Sequence, residues 1–164
     1  MNDNLIIRKA TMEDIEQLIE LRKELLSNNE DTHYSAKNKK DDNAWQQAYK
    51  IWIEDNLHNQ NIGIFVGEFN EDKNICACVI GIIDSRAPMV GAINGKMGWA
   101  QSLVVHKDRR GLRVAESIMK HLHNWFKKNS VNKIVIQSSK MGEEFNRKQG
   151  YIETGEKLLF KVIT

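Results

Sequence analysis

Little in the chain would fix it from outside. Of its 164 residues only two are cysteine, Cys76 and Cys78, and only one is proline, Pro88. The two thiols stand two apart in an apolar run, which in a strand puts both on one face as small buried side chains. A structural zinc would want four ligands at zinc-type spacing, so no metal is expected. No apolar run approaches the roughly 18 residues that a membrane span needs, and the opening Met1-Asn2-Asp3-Asn4 has no basic region followed by an apolar core. No membrane partner and a cytoplasmic location are the expectations. Neither sign of charge dominates: 24 Lys and Arg stand against 22 Asp and Glu, for a net charge of +2. That balance is poor for coating nucleic acid, so no nucleic-acid partner is expected. No repeat, linker or low-complexity tract interrupts the chain, which reads as a single domain over 1–164, large enough to bury roughly two thirds of its unfolded surface.

What the chain does have is alternating strand and helix signals. Residues 5–8 suit a short first strand. Thr11 and Asp14 form a capping-box-like helix start, followed by the stripe Ile15, Leu18, Ile19, Leu25 and Leu26 to about residue 27. A polar segment, 30–42, carries His33 and Tyr34 and is a candidate for contact with a substrate, as loops often are. A second helix starts at Asp42 with Trp45, Ala48, Tyr49 and Trp52 on one face. Residues 62–69 and 75–84 flank a polar turn and predict an antiparallel hairpin. Pro88, Gly91 and Gly95 mark a loop. Then come a strand over 97–106, a long helix to about 128, a strand over 133–137, a short helix over 140–148, and one or two closing strands in 151–164. Two strands joined by a helix pair in parallel, whereas the earlier hairpin is antiparallel, so the sheet is mixed.

The most informative stretch is 103–115. An apolar run passes through a short charged turn, Arg109-Arg110-Gly111, into a helix whose Leu112, Ala115, Met119, Leu122 and Phe126 recur at three- and four-residue spacings for burial against the sheet. A strand that ends in such a turn at a helix start offers unpaired backbone N–H groups, the positive end of the helix dipole and nearby guanidinium groups. Together these make an anion site, and the natural anion is a phosphate.

The segment resembles the acetyl-CoA signature of the GNAT superfamily of N-acetyltransferases, Arg/Gln-x-x-Gly-x-Gly/Ala after a Val-rich strand. Arg110 fills its first place and Ala115 its last, with Gly111 after the Arg and Arg113 where the middle glycine usually stands. Downstream, residues 138–151 are similar to the C-terminal GNAT pattern Tyr-x-x-x-Gly-Phe: Gly150 and Tyr151 match, and Asn146 takes the place of the tyrosine. Ile7-Arg8-Lys9-Ala10-Thr11 before an amphipathic helix is also typical. The resemblance implies an α/β (α+β) fold with a mixed, mostly antiparallel sheet flanked by helices, and with central parallel strands that splay apart.

It further implies acetyl-CoA as cosubstrate. Backbone amides of Gly111, Leu112, Arg113, Val114 and Ala115 would cradle the pyrophosphate, Arg110 would add charge, Leu103, Val104 and Val105 would pair with the pantetheine, and Ser139 and Asn146 would complete the cofactor site. Transfer would go directly from thioester to a primary amine, of a small molecule before a peptide. An N–H at Val104 or Val105 would serve the oxyanion. At the catalytic positions Asn146 can donate a hydrogen bond but no proton, Gln101 could order a water, and Asp84 and Glu68 are carboxylates near by in the pattern. Tyr151 reads as a packed aromatic. The alternative is a GNAT-fold protein that binds acyl-CoA as a sensor with little catalysis, motivated by Asn146 and Arg113. GNAT domains often dimerise, so a homodimer is among the states the resemblance allows.

Overall fold

The computed structural model describes residues 4–27, 32–71 and 73–164. The readings made at Met1, Asn2 and Asp3, at 28–31 and at Asp72 lie outside the described residues. Five strands form one sheet in sequence order: β1 (Leu5–Lys9), β2 (Ile62–Phe69), β3 (Ile75–Ser85), β4 (Lys96–Val105) and β5 (Ile134–Ile136). The first three neighbouring pairs are antiparallel and β4 with β5 is parallel. Helices α1 (Ile15–Ser27) and α2 (Lys39–Asn56) cover one face, α3 (Val114–Lys128) covers the other, and the short α4 (Glu143–Lys148) follows β5.

Local chemistry explains most boundaries. Ahead of α1, a 3₁₀ turn at Met12–Asp14 is closed by Thr11, whose amide donates to Asp14 Oδ2 at 2.8 Å. Arg8 on β1 grips both oxygens of the same carboxylate, at 2.7 and 2.9 Å, and also donates to Glu68 at 2.8 Å. The second helix starts at Lys39 and not at the expected Asp42, because Asn38 accepts the Asp41 amide and so caps it three residues earlier.

On α3 the buried side chains are Val114, Ile118, Met119, Leu122 and Phe126. Met119, Leu122 and Phe126 are buried as expected, whereas Leu112 lies before the helix and is exposed and Ala115 is only half-buried, so Val114 and Ile118 complete the stripe in their place. Removing those five side chains from water is worth on the order of 10 kcal/mol before entropy is counted. The helix can lie this close because β3 and β4 offer glycines beneath it. A Cβ on Gly81 would come 2.5 Å from Leu122, and one on Gly98 would come 2.8 Å from Phe126.

Two bulges alter which face each strand presents. In β3, Gly67 pairs with Ala77 but Glu68 pairs with Ile75, so Cys76 is an extra residue. Cys76 therefore packs among the residues under α3 and Cys78 among those under α1 and α2; the two thiols do not share a face as alternation predicted. Both are free and buried, and burial pushes the Cys78 thiol up to about 12. The expected closing strands are also absent: residues 151–164 pair with no strand, and 152–164 are exposed. Such segments become strands only when an edge receives them.

Candidate active site at the fork of β4 and β5

The parallel pairing of β4 with β5 lasts three residues, Gly98 with Ile134, Trp99 with Val135 and Ala100 with Ile136. β4 continues to Val105 along β3 alone, so the two strands fork after Ala100 as the resemblance implied. At the fork sits the second bulge. Ile80 pairs with Gln101 and Cys78 with Val104, which gives β4 one residue too many, and Ser102 absorbs it in the left-handed region at φ 56°. The facing of β4 inverts there: Ala100, Leu103 and Val105 turn toward α3, and Val104 turns toward α1 and α2.

The bulge also decides which backbone groups stay available. The His106 amide donates to Cys76 O on β3 at 2.7 Å. Alternate residues of an antiparallel ladder bond the same neighbour, so Val104 also spends its amide on β3. Leu103 and Val105 instead present N–H and C=O to the side that β5 has vacated, where Arg110 Nε reaches Val105 O at 3.3 Å. Val104 is thus the wrong choice for a free donor, and Leu103 and Val105 are the open ones.

Past β4 the chain makes a 3₁₀ turn, Lys107–Arg109, and enters α3 through two residues of positive φ, Gly111 at 79° and Arg113 at 57°. Arg113 stands where the signature carries glycine and adopts the backbone conformation glycine would favour. Its side chain points into solvent, 85% exposed, with Nε 4.0 Å from Glu116. Arg110 is held by Glu24 of α1 at 3.2 Å, and Arg109 lies over the Phe69 ring at 4.7 Å. A cleft of about 290 Å³ opens at this turn, lined by Val105, Arg109, Arg110, Gly111, Arg113, Val114, Ala115, Glu116 and Phe145. Leu112 is not among its lining residues. The open β4 edge thus leads into a concavity walled by the amides of a helix start, which fits a ligand with an amide-bearing arm and a phosphate head.

Opposite, Asn146 of α4 is buried and donates through Nδ2 to Ser138 Oγ at 2.8 Å. Ser138 is two residues past the last paired residue of β5, so the amide is tethered at the fork. Ser139 shapes the approach to α4 by accepting the Gly142 amide at 3.2 Å on Oγ. Gln101 lies on the other arm of the fork, exposed. Asp84 pairs with Met97, which lies about 13 Å from Gln101 along β4 at 3.3 Å per residue, and is 3.3 Å from Arg86. Glu68 belongs to the Arg8 cluster. Tyr151 packs beside α3, its hydroxyl 2.8 Å from His123 Nε2, and burial raises it to about 12. His33 and Tyr34 stack edge-on, 5.1 Å between centroids, and His33 also stacks on Phe160.

Sequence reasoning missed three residues at the fork. Arg22 of α1 donates to Ser102 Oγ at 2.7 Å while its guanidinium lies 4.7 Å over the Tyr49 ring. Ser138, which holds Asn146, opens the 138–151 segment but fills no position of its pattern. Trp99 lies on the same face as Gln101 with its indole N–H buried and unpaired among the described residues. Also among these residues, no group of three His, Cys, Asp or Glu could hold a metal, and no helix is long and apolar enough to cross a membrane.

Comparison with known proteins agrees with this geometry. No curated protein sequence matches the chain. Solved structures do. A predicted acetyltransferase from Clostridium acetobutylicum, solved with acetyl-CoA, is similar at a TM-score of 0.80 and 23% identity, over 96% of each chain. Glucosamine-6-phosphate N-acetyltransferase from Arabidopsis thaliana is similar at 0.68 and 18%, over 97% of this chain and 99% of that one. An aminoglycoside antibiotic 6'-N-acetyltransferase from Acinetobacter haemolyticus is similar at 0.72 and 14%, over 97% and 99%. These likenesses concern the fold. The sequence model of the acetyltransferase (GNAT) domain matches residues 70–164, more than half of the chain and the part that holds β3, the fork, the turn at 107–113 and Asn146. The chain belongs to the GNAT acetyltransferase family.

Proposed function

We propose that the protein transfers the acetyl group of acetyl-CoA directly to a primary amine of a small molecule. The single observation that carries this reading is the open edge of β4 running into the helix-start cleft. Acetyl-CoA supplies an activated thioester. Leu103 and Val105 would bond the pantetheine amides as a missing strand would, and the amides of residues 111–115 would hold the pyrophosphate. An N–H on this open edge would stabilise the negative charge that develops on the acetyl oxygen. Arg110, already paired with Glu24, would stiffen the turn more than it would neutralise phosphate. The relatives' small amine substrates, glucosamine-6-phosphate and an aminoglycoside, support the acceptor class.

The amine must arrive neutral, and Gln101 would order a water that takes its proton. Asn146, with one N–H on Ser138, would orient the sulfur through the other. A thiol with an ordinary pKa near 8.5 leaves without a strong acid, so the missing tyrosine would cost at most about 10²- to 10⁴-fold. Positioning the amine and the thioester supplies several kcal/mol by itself. The same Asn146 motivates the second reading, a sensor that binds acyl-CoA without turnover. The test is calorimetry with acetyl-CoA together with thiol release across a panel of small amines. Binding and turnover support the transferase, binding alone supports the sensor, and no binding sinks both.

A further inference from the structure

Trp99 stands at the margin of the apolar core on the side of α1 and α2. It pairs with Ile82 on β3 and with Val135 on β5, one residue before the last pair of the fork. Ile82 packs against the residues buried under α1 and α2, but Trp99 belongs to neither buried cluster. Its indole N–H is nevertheless buried and has no partner among the described residues. A buried donor without an acceptor is a costly arrangement.

Arg86 lies over this ring, its guanidinium carbon 5.6 Å from the centroid, and Asp84 accepts from the same group at 3.3 Å. The root of the side chain is fixed, because the Arg86 amide donates to Gly95 O at 2.7 Å where the hairpin from β3 to β4 closes. Yet the side chain is 46% exposed, and Asp84 is its one hydrogen-bond partner among the described residues. A guanidinium laid on an aromatic face and steadied by one carboxylate keeps most of its five N–H donors for a ligand. Such a group is prepared for an oxyanion.

These groups share a face with Gln101, which follows Trp99 by two residues, roughly 7 Å along β4. Because α3 packs on the opposite face, an amine brought to the fork on the side of Gln101 passes Trp99 and Arg86. We propose that Arg86, backed by Asp84 and the Trp99 ring, holds an oxyanion of the acceptor, so that the substrate is a primary amine bearing a carboxylate or a phosphate a few bonds from its nitrogen. The inference rests on the transferase reading and names its acceptor. Both the guanidinium and the indole are donors in want of acceptors, and an oxyanion supplies them, with Arg86 shifting on the ring to admit it to the indole N–H. An ammonium on the same ring would first have to displace Arg86 from Asp84. Asp84, set too far along the strand to take the amine's proton, thereby serves as the brace of Arg86. The transfer keeps its balance: nitrogen forms the C–N bond, the C–S bond breaks with its electron pair on sulfur, and the amine's proton leaves through water at Gln101.

The test gives the whole protein γ-aminobutyrate, phosphoethanolamine, butylamine and putrescine, primary amines of similar length that differ in the charge of the far end. Values of kcat/KM for γ-aminobutyrate or phosphoethanolamine should exceed those for butylamine and putrescine by about tenfold or more, and the better of the two tells carboxylate from phosphate. Arg86→Met should raise the KM of the favoured amine about tenfold and erase the preference, Arg86→Lys should keep part of it, and Arg86→Glu should turn it toward putrescine. Calorimetry of the two anionic amines with the protein holding coenzyme A reads the same contact without turnover. The Trp99 indole N–H resonance, identified by its loss in Trp99→Phe, should shift on binding. Equal rates for all four amines, a preference for putrescine, or a preference that survives in Arg86→Met would overturn the inference while the transferase reading stands. Binding of the anionic amines that depends on Arg86, with no amine turned over, would sink the transferase reading and keep the anion site. No such binding would overturn the site itself.

Discussion

Arg22 Nη1 lies 2.7 Å from Ser102 Oγ, so a side chain from the middle of α1 is fastened to the one residue of β4 with a left-handed backbone. Tyr49 of α2 supports the same guanidinium through its ring. A non-glycine residue at positive φ costs of order 1 kcal/mol and persists where its surroundings hold it. Arg22→Met should therefore loosen the bulge and the open edge beyond it, so turnover should fall about tenfold and the KM for acetyl-CoA should rise. Ser102→Gly relieves the backbone but loses the tether, so it should melt near the wild type and still turn over slowly. Steady-state kinetics with thermal melts on both variants checks this. An Arg22→Met enzyme of normal kcat would mean that the bulge holds itself.

Arg113 pays the same backbone cost with no tether, since its side chain is exposed and only 4.0 Å from Glu116. Arg113→Gly should stabilise the fold by about 0.5–1 kcal/mol, and Arg113→Ala should not. Affinity for acetyl-CoA should change by less than about 0.5 kcal/mol in either variant, because an exposed charge is well screened. Denaturant melts and calorimetry read the two effects separately. A large loss of affinity in Arg113→Ala would show that the guanidinium swings onto the phosphates.

Asn146 is buried and lines a cavity of about 490 Å³ together with Ile136, Ser138 and Tyr151, which offers room for a bigger side chain. Asn146→Tyr should raise turnover by restoring a hydroxyl that can give up a proton. Asn146→Ala should lower it and destabilise the fold by about 1 kcal/mol, through the lost bond to Ser138. Thiol release at saturating substrate is the measurement. A slower Asn146→Tyr enzyme would point to the amide as the better fit here.

The carboxyl of Asp14 is held below its ordinary value: burial pushes it up, and the bonds from Arg8 and the Thr11 amide outweigh that push. Its proton is bound less tightly in the folded state than in the unfolded one. The resulting stability is complete above the unfolded pKa of about 3.9 and is lost as pH falls through the lower folded value. Arg8→Ala strands Asp14 and Glu68 together and should cost about 2–3 kcal/mol at neutral pH, less than for a fully buried pair because Arg8 is 31% exposed. Urea melts between about pH 2 and 5 should show the wild-type slope below the unfolded pKa flattened in Asp14→Asn.

The sequence by itself determined the kind and order of the elements, because period and punctuation are local: the hairpin around 70–74, the stripe of α1, and an apolar strand leading through a charged turn into a helix. Together with the family patterns, that marked the turn before α3 and Asn146 as the candidate site. Only the tertiary structure decided the faces and the partners. One extra residue at Cys76 and another at Ser102 invert every side chain beyond them, and neither Cys nor Ser announces a bulge, which arises when two strands of unequal length are forced into one register. Whether Val104 or Val105 keeps a free amide followed from that register, and Arg22 became a support for the site because α1 crosses β4 there. The 157–163 segment has the side chains of a strand, but a strand exists only against an edge, and among the described residues no edge receives it.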